Sequence, residues 1–265
     1  MADHVTSHPA RTHVRTHSPR LRPRPAPRPR RRQQPGQHLR PHPGRSRRPP
    51  HRRRHRLPRQ RRHPRSTTPL SVDDLADQLV AAADAEGLDR FALSGFSLGG
   101  SVAIRAAARH PERVTALVLT ATFQYRDNRL ALASSVWRKI AASGDRETLA
   151  EFLLMMALGT QALESMSSEQ LQETLGFAAA TAADGSPEQV DLVGQVDVRD
   201  DLAGIKVPTL VISTTDDWVT STALHRRLAE TIPGARLAEI AGGHLPMLER
   251  TDEWLQLISD FLGKH

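Results

Sequence analysis

Phe91-Ala92-Leu93-Ser94-Gly95-Phe96-Ser97-Leu98-Gly99-Gly100-Ser101 is the stretch on which the fold turns. A short apolar run leads into Gly95-Phe96-Ser97-Leu98-Gly99, and helical spacing continues from there to Arg109, so the segment predicts strand, tight turn and helix. Small residues two before and two after Ser97 let a strand turn sharply into a helix with the hydroxyl held clear of the backbone, the nucleophile-elbow pattern. Ser97 then lies at a helix N-terminus, whose free N–H groups favour a developing negative charge. The plainer alternative is a glycine-rich turn that happens to contain serine. The strand before and the helix after weigh against it.

Working outward, Ser71 is placed to cap a helix carrying Val72, Leu75, Leu79 and Val80 at helical spacing, with Gly87 to end it. Beyond Pro111, Ala116-Leu117-Val118-Leu119-Thr120 is apolar on both faces and reads as a buried parallel strand. Residues 128 to 195 contain no strand-like run. Leu130 to Ala142, Thr148 to Ala157 and Glu169 to Ala182 have helical spacing, broken near Gly144, Gly159 and Gly185, and read as a helical insertion. The alternation resumes with a strand at Thr209-Leu210-Val211-Ile212, a helix from Thr222 to Ile232, a strand Arg236 to Ile240 and a helix Asp252 to Leu262. Strands alternating with helices imply a parallel sheet covered on both sides, an α/β fold.

A serine hydroxyl needs a base to take its proton. Past residue 65 the candidates are His110 at a helix end, His225 within a helix, His265 at the terminus, and His244, which follows a strand and Gly242-Gly243 in a loop free to aim its ring. His244 is the candidate base. The base in turn needs an acid to orient it. Asp216 and Asp217 directly follow the Thr209 strand, at the carboxyl end where open parallel sheets place their sites, and the residues alone do not choose between them. Trp218 and the apolar positions between Leu130 and Leu175 read first as packing and second as the wall of an acyl pocket. No metal-ligand spacing is present, and neither a metal nor a cofactor is expected.

Composition divides the chain near residue 66. The 265 residues carry a net charge of +8 and no cysteine, which excludes a disulfide framework and any thiolate zinc site. Residues 1 to 65 hold 21 arginines against one acid, Asp3, while the remainder is net −12, so the basic isoelectric point belongs to one segment. Arg, Pro and His supply 43 of those first 65 residues and all ten aromatic residues lie beyond them, so residues 1–66 are expected to be disordered. Such a tail would hold polyanions weakly; with no aromatic side chain to stack a base, a specific nucleic-acid site is not expected. No run reaches the roughly eighteen apolar residues of a membrane span, and a cytoplasmic protein is expected.

On these stretches, together with His110-Pro111-Glu112-Arg113-Val114, Asp200-Asp201-Leu202 through Lys206-Val207-Pro208 and Gly242-Gly243-His244-Leu245-Pro246, residues 69 to 263 resemble the α/β-hydrolase superfamily. The nearest branch holds small esterases, enol-lactonases and cofactor-free haloperoxidases. The resemblance implies a parallel-sheet core at 67–124 and 198–265 with a helical cap inserted at 125–197. It places the acid on Asp217, completes a Ser97, Asp217, His244 triad, and gives the Leu98 backbone N–H to the oxyanion. The implied activity is hydrolysis of an ester, lactone or similar acyl bond of a small molecule through an acyl-enzyme. The alternatives are perhydrolysis by the same triad, and an incomplete, inactive fold with a polyanion-binding tail. Oligomeric state is not legible.

Members of that family carry a His-Gly loop ahead of the elbow, which supplies a second oxyanion donor, and nothing like it precedes Ser97. A one-base shift of frame does supply one. Codons of Arg, Pro and His begin mostly with C in a GC-rich gene, so Arg24 to Gln34 then permits Val-Leu-Leu-His-Gly-His-Gly-Gly-Ala-Ser-Ser. His51 to His63 permits Ile-Val-Ala-Val-Thr-Asp-Tyr-Arg-Gly-Asn-Gly-Ala-Thr, similar to the family's next strand and turn. Residues 1 to about 65 are therefore expected to be an out-of-frame translation, with a genuine disordered tail as the alternative.

Overall fold

The structure, a computed structural model, describes residues 6–8, 69–181 and 186–265. The expectations for the remaining residues, including the break near Gly185 and nearly all of the basic segment, lie outside the described residues. In chain order the elements are β1 (Thr6–His8), α1 (Val72–Ala85), β2 (Phe91–Phe96), α2 (Leu98–Arg109), β3 (Val114–Thr120), α3 (Asn128–Ser143), α4 (Arg146–Ala157), α5 (Thr160–Glu164), α6 (Ser168–Thr181), α7 (Ser186–Val193), α8 (Arg199–Leu202), β4 (Thr209–Thr214), α9 (Thr222–Thr231), β5 (Arg236–Ile240), α10 (Pro246–Glu249) and α11 (Thr251–Leu262). The sheet runs in the order β1-β2-β3-β4-β5. β2 to β5 are parallel, as apolar strands separated by helices require; β1 lies antiparallel on the outer edge of β2, opposite Ala92, Leu93 and Ser94.

Alternation along the strands sorts the core into two layers. Phe91, Leu93, Leu117, Leu119 and Val211 face one side with Ala76, Val80, Val102, Ala106, Leu228 and Ile232 of α1, α2 and the α9 end. Ala116, Val118, Leu210, Ile212 and Ile240 face the other, against Ile258 and Phe261 of α11. Each such Leu, Ile or Phe taken from water adds about 1.5–3 kcal/mol, which is why β3 and β4, buried on both faces, hold the centre. α1 begins where its cap predicts, with Ser71 Oγ accepting the Asp74 N–H at 3.0 Å, and Gly87 follows it at φ 71°.

The segment between β3 and β4 is helical, α3 to α8; α3, α4 and α6 fall where the spacing predicts, whereas α7 is not among the expected helices. An antiparallel bridge between Tyr125 and Asp197 ties its two ends, and Asp127 and Asp145 cap α3 and α4 through the N–H groups of Leu130 and Thr148. The short helices α5, α8 and α10 carried no readable period, being one turn or little more. Leu130, Leu192 and Val196 of this cap pack on Leu98 and Phe123 of the sheet's carboxyl end.

Candidate active site

Four parallel strands deliver their following loops to one edge, and three of those loops carry the predicted residues. Between β2 and α2 the chain turns at Ser97 with φ 53° and ψ −127°, a region open mainly to glycine and worth about 1–3 kcal/mol of strain. The surroundings over-determine the turn. Ser97 N–H donates to Thr120 O at 3.1 Å, and Ser97 O accepts the Gly100 N–H at 3.0 Å and the Thr122 hydroxyl at 2.6 Å. A side chain at Gly95 would put its Cβ 2.5 Å from Gly99 O and 2.6 Å from Gly100 Cα, which is the physical need for glycine two residues before the serine. Leu98 opens α2, so its N–H has no carbonyl four residues back and is free for a ligand.

The loop after β5 brings His244 to the serine: Nε2 lies 2.9 Å from Ser97 Oγ and Nδ1 2.8 Å from Asp217 Oδ2. The imidazole is 3% exposed and lies 4.9 Å from the Phe96 ring, centroid to centroid. Of the two acids, the structure sets Asp217 on the histidine. Its Oδ1 accepts the Val219 and Thr220 N–H groups, both at 2.8 Å, and its Oδ2 accepts the Thr214 and Thr220 hydroxyls, both at 2.9 Å. Burial works to raise the Asp217 carboxyl, but the charge and hydrogen bond of His244, with His225 and the Thr220 N–H behind them, outweigh it and hold the group below the usual carboxylate value. Asp216 points elsewhere, into hydrogen bonds with the Thr160 N–H of the cap and Trp218 Nε1, and the Thr160 N–H foremost lowers its carboxyl.

Beside Ser97 and His244 lies a cavity of about 80 Å³, lined by Phe123, Leu130, Ala133, Trp137, Phe152, Leu153, Met156 and Val219. Several of the cap residues first read as packing therefore wall a cavity, because α3 and α4 straddle the sheet's carboxyl end. Trp218 does not join them; its ring is 48% exposed and its N–H is held by Asp216. Glu249 accepts the N–H groups of Gly159 at 3.3 Å and Gly243 at 3.1 Å, drawing the start of α5 onto the histidine loop. A Cβ on Gly243 would lie 2.6 Å from the Leu158 carbonyl carbon, so the close approach needs glycine there.

Two contributors escaped the sequence. Thr220, three residues past Asp217, has the spacing at which an aspartate bonds the N–H groups ahead of it. His225 falls three residues before Leu228 and seven before Ile232, on the buried stripe of α9, a signal that it belongs inside. Among the described residues, no three His, Cys, Asp or Glu side chains are placed to hold a metal ion, and no helix is long and apolar enough to cross a membrane.

The parallel sheet, the elbow and the capped carboxyl edge are those of an α/β hydrolase, and the chain belongs to the alpha/beta hydrolase fold family, whose model matches residues 40–251. It is 31% identical over 195 residues to the pyrrolizixenacetamide deacetylase of Xenorhabdus hominickii, 73% of each chain. It is 28% identical over 178 residues, 64% of this chain and 70% of the other, to the pimeloyl-[acyl-carrier protein] methyl ester esterase of Aeromonas hydrophila subsp. hydrophila. The enol-lactonase from Burkholderia xenovorans LB400 superposes with a TM-score of 0.64 at 25% identity, covering 76% of this chain and 75% of that one.

Proposed function

We propose that this chain hydrolyses an ester, lactone or similar acyl bond of a small molecule through an acyl-enzyme on Ser97. The observation that carries the reading is the unbroken hydrogen-bonded line from Ser97 through His244 to a buried, fully bonded Asp217, set on the wall of an apolar cavity. The family's relatives with deacetylase, methyl esterase and enol-lactonase names point to the same class of bond.

Ser97 Oγ attacks the carbonyl carbon as its proton passes to His244 Nε2, and Asp217 steadies the imidazolium through Nδ1–H. The carbonyl oxygen becomes an oxyanion beside the Leu98 N–H at the head of α2, where the helix dipole adds to the hydrogen bond. Collapse expels the alkoxide, which takes the proton from Nε2. Water then attacks the acyl carbon and gives its proton to Nε2; collapse breaks the bond to Oγ, which takes that proton back, and the acid leaves with Ser97 and His244 restored. The mostly apolar wall suits an uncharged acyl group, since beyond Ser97 and His244 its polar groups, Ser134, Gln189 and Trp137 Nε1–H, are neutral and offer a buried charge no counter-ion.

A fluorophosphonate added to the full chain should form one adduct, on Ser97 by peptide mass spectrometry, and abolish hydrolysis of p-nitrophenyl butanoate. Ser97→Ala should lose both labelling and turnover. Labelling at another residue, or turnover that survives Ser97→Ala, would sink the mechanism.

A further inference from the structure

Outside the cavity lining, and joined to the acid through Thr220, lies a second histidine that the mechanism above leaves unused. His225 is wholly buried in α9. Its Nδ1 lies 3.1 Å from Ser213 Oγ at the end of β4, and its Nε2 lies 3.0 Å from Thr220 Oγ1. That hydroxyl is crowded: besides His225 it has Asp217 Oδ2 at 2.9 Å, Ala121 O at 3.2 Å and His244 Nδ1 at 3.5 Å.

Counting protons fixes the direction of every bond. Thr220 has one hydroxyl hydrogen, and the carboxylate is the strongest acceptor within reach. With that hydrogen committed to Asp217, the contact to His225 exists only if Nε2 carries the proton and donates to Thr220 Oγ1. Nδ1 is then a lone pair, filled by the Ser213 hydroxyl. In the opposite arrangement Thr220 donates to His225, and an oxygen lone pair faces the carboxylate at 2.9 Å, which repels. Burial, foremost, holds the His225 ring down to about 4, so it is neutral over the range in which a histidine base works. Asp217 and His244 are the ionisable groups that act on it; Arg226 and Arg227 of its own helix turn to Glu239 and the Tyr125 hydroxyl.

We propose that His225 is a positioning residue for Asp217: as the neutral Nε2–H tautomer it locks the Thr220 hydroxyl onto the carboxylate that aims His244, completing a one-way line from Ser213 through His225 and Thr220 to Asp217. The inference rests on the proposed triad. If His225 is lost, the Thr220 hydrogen is free to swing to Ala121 O, and the carboxylate is left with one donor fewer. A carboxylate so stripped is more basic and holds an imidazolium more tightly, while the imidazole is less well aimed at Ser97.

The full chain with p-nitrophenyl butanoate as substrate tests this, with active sites counted by fluorophosphonate so that misfolded protein drops out of the rates. His225→Leu and Thr220→Val should each lower kcat per titrated site about tenfold, roughly the worth of one hydrogen bond to a charged group. KM should stay within about twofold, since neither side chain lines the cavity. The acid limb of kcat/KM should move to higher pH in both variants, the double variant should be no worse than either alone, and Thr220→Ser should behave as the parent. An acid limb that stays put in both variants overturns the proposal whatever kcat does, because filling of the core would then be the role. On the unaltered protein, nitrogen NMR of the imidazoles should show His225 protonated on Nε2 from pH 6 to 8, and an Nδ1–H tautomer would overturn it equally, even if His225→Leu fails to fold. Failure of the parent to be labelled on Ser97 would count against the triad instead.

Discussion

The backbone N–H of Thr160 donates to the carboxylate of Asp216, and the next carboxylate in the chain, Asp217, receives Nδ1 of His244. Two adjacent acids thus serve two different bodies. One moors the start of α5, and with it the cap, to the loop after β4; the other holds the imidazole. The same loop is stitched to its neighbour by Thr215 N–H to Ile240 O at 3.0 Å and Asp216 N–H to Gly242 O at 2.9 Å, which joins the acid and histidine loops through the backbone. Glu249 repeats the mooring from the other side through Gly159 and Gly243.

Substitution should therefore separate the pair. On the proposed mechanism, Asp217→Asn leaves an amide where the imidazole needs a carboxylate and should lower kcat about 10⁴-fold, the loss known for a triad acid, with KM little changed. Asp216→Asn keeps one acceptor for Thr160 and should cost less than about tenfold, chiefly in KM, because the mooring of the cap is loosened while the contacts among Ser97, His244 and Asp217 are untouched. Steady-state kinetics on titrated enzyme settles the ranking; equal losses in kcat would mean that Asp216 serves the imidazole as well as the cap.

The legible part of the candidate site was the part written in local chemistry. Ser97 announced itself because a strained turn restricts its neighbours to small residues, and His244 because glycines free its loop. What stayed illegible was set by distance. Asp216 and Asp217 are equivalent in sequence, and only the packing of α5, some 56 residues earlier in the chain, gives the first of them its own partner. Trp137 and Leu130 have helical spacing whether they fill a core or wall a cavity, and His225 looks like any helix residue until the facing Ser213 and Thr220 are in place. In the fold, the long periodic elements match their predicted spans to within a few residues, whereas α5, α8 and α10, at four or five residues, are too short to show a period.

Acyl length should follow the cavity. The cavity beside Ser97 measures about 80 Å³ and is walled by Trp137, Phe152 and Met156, so the acyl side of the substrate should be short. The kcat/KM of p-nitrophenyl esters is expected to peak near butanoate and fall for dodecanoate. Trp137→Ala removes an indole from the cavity wall and should raise the hexanoate-to-butanoate ratio about tenfold, the scale at which a hydrophobic pocket tells one methylene from the next. An unchanged ratio would place the acyl chain outside this cavity.

Stability should carry the signature of the buried histidine. The folded His225 takes its proton only near 4, whereas the unfolded chain takes it near 6.5. Between those values the unfolded state holds more protons, so stability rises with pH through the window, is complete above 6.5, and is lost as pH falls toward 4. The size of the effect is about 3 kcal/mol. Asp216 and Asp217, held below the usual carboxylate value, add their own losses only at lower pH. Urea unfolding at pH 7 and pH 4.5 should show a smaller drop for His225→Gln than for the parent; parallel drops would mean that His225 titrates alike in both states.

The edge of the sheet leads to the last prediction. β2 is flanked on one side by β3 along its whole length, and on the other by the three residues of β1, antiparallel, opposite Ala92 to Ser94. An apolar strand at that position calls for a full-length neighbour, and an oxyanion beside Leu98 N–H calls for a second donor of the kind a loop ahead of the elbow supplies. Both needs are met by one strand ending in His-Gly, and Arg24 to Gln34 permit that strand when their codons are read one base forward. Sequencing the coding DNA is therefore expected to give, in the shifted frame, an apolar run followed by His-Gly near codons 24 to 30 and an Asp-x-Arg-Gly-x-Gly turn near codons 56 to 61. A single added or missing base between codons 64 and 68 should rejoin the frame of Pro69. A polypeptide made from the corrected frame should be labelled by fluorophosphonate faster than the chain as written, because its oxyanion site has two donors in place of one. Stop codons in the shifted frame, or no His-Gly after an apolar run, would refute the frame change and leave residues 1 to 65 as a basic segment of the protein itself.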